Sequence, residues 1–175
     1  EPIATHPTLR SYYATDADRQ KFVSELFDRS SRHYDWVDRV LSLGSGSHYR
    51  REVLRRAGVR EGMRVLDVAT GTGPVAAIAR AMVGKSGLVV GVDPSRGMLQ
   101  VAREKVDAGF VQAVGTALGV RSDSFDFLLM GYALRHIADL SAAFVEFARV
   151  LKPGGRVLIL EITRPDGALA NTLLR

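Results

Sequence analysis

The stretch "VLDVATGTGPVA", residues 65–76, decides how the rest of the chain is read. Val65, Leu66 and Val68 form a β-like run. The chain then turns tightly through Gly71 and Gly73, and Pro74 suits the first turn of a following helix. Outward from this unit the same alternation repeats. "MRVLDVA" (63–69) is followed by "PVAAIARAMV" (74–83), and "GLVVGVD" (87–93) by "SRGMLQVAREKV" (95–106). "FVQAV" (110–114) comes next, then "FDFLLMGYA" (125–133) with "LSAAFVEFARVL" (140–151), and finally "GGRVLILEIT" (154–163). Strand-like runs separated by helices of about 10–14 residues argue for right-handed βαβ crossovers and a parallel sheet covered on both faces. The expected fold class is α/β, a doubly wound, Rossmann-like, mainly parallel sheet. Upstream, "DRQKFVSELFDRSSRHYDWV" (18–37) places Phe22, Val23, Leu26 and Phe27 on one helical stripe, with Asp16 as N-cap. The expected organisation is one compact unit: a helical lid segment over 1–60 and a ligand-binding core over 61–175.

The chain has 175 residues, 46% hydrophobic and 25% charged, which suits a single α/β domain and is short for two. It contains no cysteine, and His6, His33, His48 and His136 are too scattered for a zinc cluster, so no metal is expected. Apolar runs such as "VLIL" (157–160) fall far short of the ~20 residues of a membrane span. "EPIATHPTLR" has no signal-peptide centre either, so a cytoplasmic protein is expected. The net charge of +5 is densest in "HYRREVLRRAGVR" (48–60). Val53, Leu54 and Ala57 recur there at helical spacing, which assigns Arg50, Arg51, Arg55 and Arg56 to the wet side of an amphipathic helix. Only Tyr49 offers a stacking platform in this cluster, so no nucleic-acid partner is expected.

In doubly wound folds ligands sit beyond the carboxyl ends of the strands, at the switch point of strand order. "ATGTGPVA" follows the first strand and "VDPS" the second, where Asp93 lies 20 residues past Gly73 and can accept both hydroxyls of a ribose. Glycines followed by an acid fit a dinucleotide and S-adenosylmethionine equally well; Asp67 separates them. A diphosphate over the loop and helix N-terminus would be repelled by an adjacent carboxylate. S-adenosylmethionine carries no phosphate, and its α-ammonium and sulfonium would be attracted.

Beyond these residues, "VLDVATGTG" (65–73), "GVDPSRGMLQVAREK" (91–105), "SFDFLLMGYALRHIAD" (124–139) and "ARVLKPGGRVLILEITRP" (148–165) resemble the successive motifs of class I S-adenosylmethionine-dependent methyltransferases. With "FDRSSRHYDWVDRVLSLGSGSHYRR" (27–51), the chain is similar, more narrowly, to the C-methyltransferases of ubiquinone and menaquinone biosynthesis. The resemblance implies strand order 3-2-1-4-5 and a cofactor cradle of Asp67, Ala69, Gly71, Thr72, Gly73, Asp93, Pro94, Met98, Val114, Gly115, Thr116 and Gly131. Within it, Asp93 would hold the ribose and Met98 would pack near the adenine. Val114 stands where the family carries Asp or Asn, leaving backbone groups at Gly115–Ala117 to meet the adenine amine. The family's Arg-Asn pair appears as Arg135 and His136.

The acceptor implied is a small, aromatic, quinone-like and lipophilic molecule methylated at carbon, with S-adenosylhomocysteine as product; oxygen and nitrogen methylation stay open. Carbon methylation of a phenolic ring needs a base or a cation that stabilises the phenolate. Arg135 can stabilise an oxyanion or orient a water, and His136 is the candidate base, because free imidazoles in general titrate near neutrality. Tyr34, with His33 and Tyr132, is the other candidate near the reaction centre. At most peripheral membrane contact is expected, and a homodimer stays open. The family's chains continue past the fifth strand into a helix and an antiparallel strand pair. "ALANTLL" (168–174) begins such a helix, so a trimmed C-terminal segment is expected, the alternatives being a partner chain that covers the exposed side or a non-catalytic member that binds the cofactor or a partner.

Overall fold

The computed structural model describes residues 46–161. Helix α1 (Gly46–Ala57) leads into β1 (Arg64–Val68), α2 (Pro74–Val83), β2 (Leu88–Asp93), α3 (Arg96–Lys105) and β3 (Gly109–Gln112). Strand β4 (Phe125–Gly131), a single 3-10 turn (Leu134–His136), α4 (Leu140–Val150) and β5 (Leu151–Leu160) follow. The five strands form one sheet in the order β3-β2-β1-β4-β5, and every neighbouring pair is parallel. The doubly wound order expected from the sequence is therefore the observed one.

Central strands buried on both faces need apolar side chains at nearly every position. In β1, Val65 faces a cluster with Leu54 of α1 and Val75, Ala79 and Val83 of α2, while Leu66 and Val68 face Ala143, Phe147 and Val150 of α4. In β4, Phe127 and Leu129 join the first cluster and Leu128 and Met130 the second. α1 and α2 thus cover one face and α4 the other, leaving the carboxyl ends of β1, β2 and β4 as the place where loops can build a site.

Helix α2 begins at Pro74 and ends at Val83, with Gly84 as its C-cap, matching the apolar run read from the sequence. β5 departs from expectation. It starts at Leu151, not Gly154, because Leu151 already pairs with Phe125 before an irregularity that resumes at Phe127 opposite Arg156. Lys152 and Pro153, which fell between the helix run and the strand run, are absorbed with the two glycines as a bulge within it. Of the lid expected over 1–60, residues 1–45 lie outside the described residues, as does the helix expected from Ala168.

Candidate functional site

The loop after β1 adopts the left-handed backbone region at Ala69 (φ 55), Gly71 (φ 56) and Gly73 (φ 87) in close succession. Gly73 combines that conformation with packing: a Cβ there would meet Val106 at 3.0 Å and Ala102 at 3.4 Å. Ala69 adopts it at some cost, as does Tyr132 (φ 59) after the neighbouring β4. Two strained non-glycine residues at adjacent strand ends mark where the scaffold is bent to a purpose.

Asp67 sits one residue before the end of β1, 1% exposed. Its carboxylate accepts the Thr70 hydroxyl at 2.6 Å and the backbone N–H of Ala76, in the first turn of α2. Gly73, the residue before α2, offers no side chain to cap it, so the carboxylate from β1 meets the helix's free donors instead. Burial pushes the Asp67 carboxyl up to about 7; the Thr70 and Ala76 hydrogen bonds pull it down, and the charge of Asp93 raises it a little further.

Asp93 closes β2 and ties the two loops together. Its Oδ2 accepts the Gly71 N–H at 2.8 Å and its Oδ1 the Ser95 N–H at 2.9 Å. These two bonds, one on each oxygen, fix the orientation of the carboxylate. Ser95, fully buried, caps α3 by accepting the Met98 N–H at 3.1 Å, which fixes Met98 under the loop. Gln112 donates to the Pro94 carbonyl at 3.0 Å and holds the same turn from β3.

These loops surround a cavity of about 180 Å³. Of the residues expected from the sequence, Asp67, Ala69, Gly71, Thr72, Asp93, Pro94, Met98, Val114, Gly115, Thr116, Gly131 and His136 line it, together with Tyr132. Gly73 shapes the loop without forming the wall. Arg135 does not line the cavity: its guanidinium donates to Glu161 at 2.9 Å and is half exposed, while Glu161 also accepts the Leu134 N–H at 3.2 Å. Tyr34, His33, Tyr12 and Tyr13 lie outside the described residues. Among the described residues no group of three side chains is placed to hold a metal.

Arg50 was read as part of a solvated face, and the structure buries it. It is 6% exposed, lines the cavity, and sits 5.4 Å from the centre of the Tyr132 ring, whereas Arg51, Arg55 and Arg56 are exposed and the last two pair with Glu52. The signal was in the spacing. Arg50, Val53, Leu54 and Ala57 stand at i, i+3, i+4 and i+7, one helix face, so the guanidinium follows the apolar stripe inward.

The cavity fits an S-adenosyl nucleoside by its donor set: a two-oxygen acceptor at Asp93, an apolar slot at Met98 and Val114, and an acid at Asp67 in place of phosphate-binding donors. Comparison with known proteins points the same way. The model of the ubiE/COQ5 methyltransferase family matches residues 14–172. A demethylmenaquinone methyltransferase of Symbiobacterium thermophilum is 37% identical over 155 residues, covering 85% of this chain and 62% of the relative. The ubiquinone/menaquinone biosynthesis C-methyltransferase UbiE of Edwardsiella ictaluri is 36% identical over 172 residues, covering 94% of this chain and 68% of the relative. A solved SAM dependent methyltransferase from Aquifex aeolicus superposes with a TM-score of 0.64 at 26% identity, over 68% of this chain and 66% of that one.

Proposed function

Since the chain belongs to the ubiE/COQ5 methyltransferase family, we propose that it moves a methyl group from S-adenosylmethionine to a ring carbon of a small, lipophilic, quinol-like acceptor. The chain spans 62% of the length of the Symbiobacterium relative that it matches. The observation that carries the proposal is the buried Asp67 carboxylate, which lines the cavity and accepts the Thr70 hydroxyl in the loop leading to the start of α2. A dinucleotide's diphosphate would seek that helix end and find it held by an anion, whereas a tail bearing an ammonium gains from it.

When bound, S-adenosylmethionine supplies an electrophilic methyl group on a sulfonium. The chain's own residues then have three tasks. Asp93, set by Gly71 and Ser95, accepts the ribose hydroxyls. Met98 and Val114 to Thr116 bracket the adenine, with backbone groups replacing the missing side-chain amide. Aligning the methyl with the acceptor and keeping water out supply much of the rate. The third task is to take the phenolic proton as the ring carbon attacks. We assign it to His136, which lines the cavity, and give Arg135, held by Glu161 outside that wall, the orienting of the 3-10 turn that carries His136. The ring then regains aromaticity by releasing the proton of the methylated carbon. Tyr34 remains proposed as a pocket residue contributed from the N-terminal segment.

No helix among the described residues is long and apolar enough to cross a membrane. We place the reaction in the cytoplasm, with the lipophilic acceptor met by peripheral contact. The test is transfer of label from methyl-labelled S-adenosylmethionine to a panel of demethylated quinols. Product methylated at carbon, lost with Asp93→Ala and reduced about 100-fold or more with His136→Ala, is expected. Cofactor binding without turnover on any acceptor would favour a non-catalytic binding protein.

A further inference from the structure

Arg50 is not assigned a role by the site described above. Among the described residues lining the cavity, it is the one guanidinium, in the same wall as the carboxylates of Asp67 and Asp93. Its place along the cavity is informative. The adenine-side residues Met98 and Val114 to Thr116 follow β2 and β3, whereas Tyr132, which Arg50 overlies, follows β4. β2 and β4 flank β1 on opposite sides, so the two ends of the site are about 10 Å apart, two strand spacings. A ligand whose ribose is fixed by Asp93 lays the part remote from its base over the β1 loop toward β4.

That remote part of an S-adenosyl compound is an amino acid, with an ammonium and a carboxylate on the same carbon. Asp67 complements the first. Its complement for the second must be a cation reachable at the β4 side, and a planar guanidinium presents paired donors that match a carboxylate in a fork. The Tyr132 ring at 5.4 Å lies against the cation and restricts its swing while the donors stay in the plane of the group. Leu54, one turn along α1 and fully buried, anchors the helix that delivers it.

We propose that Arg50 binds the α-carboxylate of the cofactor's amino-acid tail, so that Asp67 and Arg50 together select a zwitterion. The inference rests on the S-adenosylmethionine reading of the cavity and adds a residue to it. It explains why a basic helix leads the core: one of its arginines works inward while the others stay in water.

Titration calorimetry on the whole chain with S-adenosylhomocysteine and its decarboxylated counterpart, S-adenosyl-3-thiopropylamine, separates the ideas. The unaltered protein is expected to bind the amino acid form about 10- to 100-fold more tightly than the amine. Arg50→Met should remove that preference by weakening S-adenosylhomocysteine alone, and Arg50→Lys should retain part of it. Equal affinity of the unaltered protein for the two compounds would overturn the inference with no variant needed. So would an Arg50→Met protein, folded by thermal melt, that binds both as before or weakens both equally. Failure of the unaltered protein to bind either compound would sink the cofactor reading itself.

Discussion

Asp67 makes the empty protein sensitive to pH. In the unfolded chain its carboxyl ionises near 3.8, and in the fold burial raises this to about 7. Between those values the native state binds more protons, so this group's contribution to stability is fully present below about pH 4 and lost as pH rises to about 7. The loss amounts to a few kcal/mol. Urea unfolding at pH 5 and pH 7.5 should show the fall, and Asp67→Asn should flatten it. Cofactor binding reverses the sense, because a bound ammonium favours the ionised carboxylate. Affinity for S-adenosylhomocysteine should therefore rise between pH 6 and pH 8, with proton release seen as a buffer-dependent binding enthalpy. A flat profile would mean that the carboxyl does not meet the cation. Gly71 offers a steric test. A Cβ there meets nothing within 4 Å, so Gly71→Ala strains only the backbone, by about 1 kcal/mol, while placing a methyl beside the ligand. Nucleoside affinity should fall by more than stability does. At this scale the two acids and the glycines were legible because loop chemistry is local. Arg50 was not, since charge was read as exposure although its spacing pointed inward.

Two helix caps of similar chemistry should part company when removed. Ser95 caps α3 and its own N–H holds Asp93, while Asp139 caps α4 by accepting the Ala142 N–H at 3.0 Å, outside the cavity wall. Each replacement by alanine should cost about 1 kcal/mol of stability. Only Ser95→Ala should also weaken S-adenosylhomocysteine, because the turn that it caps sets the ribose acceptor. Equal losses of affinity in both would show that the turn after β2 has no special place in binding. The elements themselves were largely readable. Pro74 and Gly84 bracket α2, and continuous apolar runs gave β1 and β4, buried on both faces. The start of β5 was not readable, because the pairing of Leu151 with Phe125 is long-range and overrides the local preference of Pro153 and Gly154 for a turn.

For the molecule as a whole, alternation of strand and helix yields the parallel sheet, and the reversal of strand order at β1 puts the site where the loops of β1, β2 and β4 converge. Which side chains face into that space is settled by contacts far apart in sequence. Glu161, 26 residues beyond Arg135, draws the arginine away from the cavity wall, while α1 brings Arg50 to Tyr132, 82 positions later. The Arg135 contact leaves no local mark in the sequence, whereas the helical spacing of Arg50 marks its inward face but not its partner. Taken together, the loops fit an S-adenosyl compound bearing an ammonium and disfavour a diphosphate. Titration calorimetry with S-adenosylhomocysteine and NAD side by side at pH 7.5 tests this preference most directly. S-adenosylhomocysteine should bind at least about 100-fold tighter than NAD. Tighter binding of NAD would contradict it.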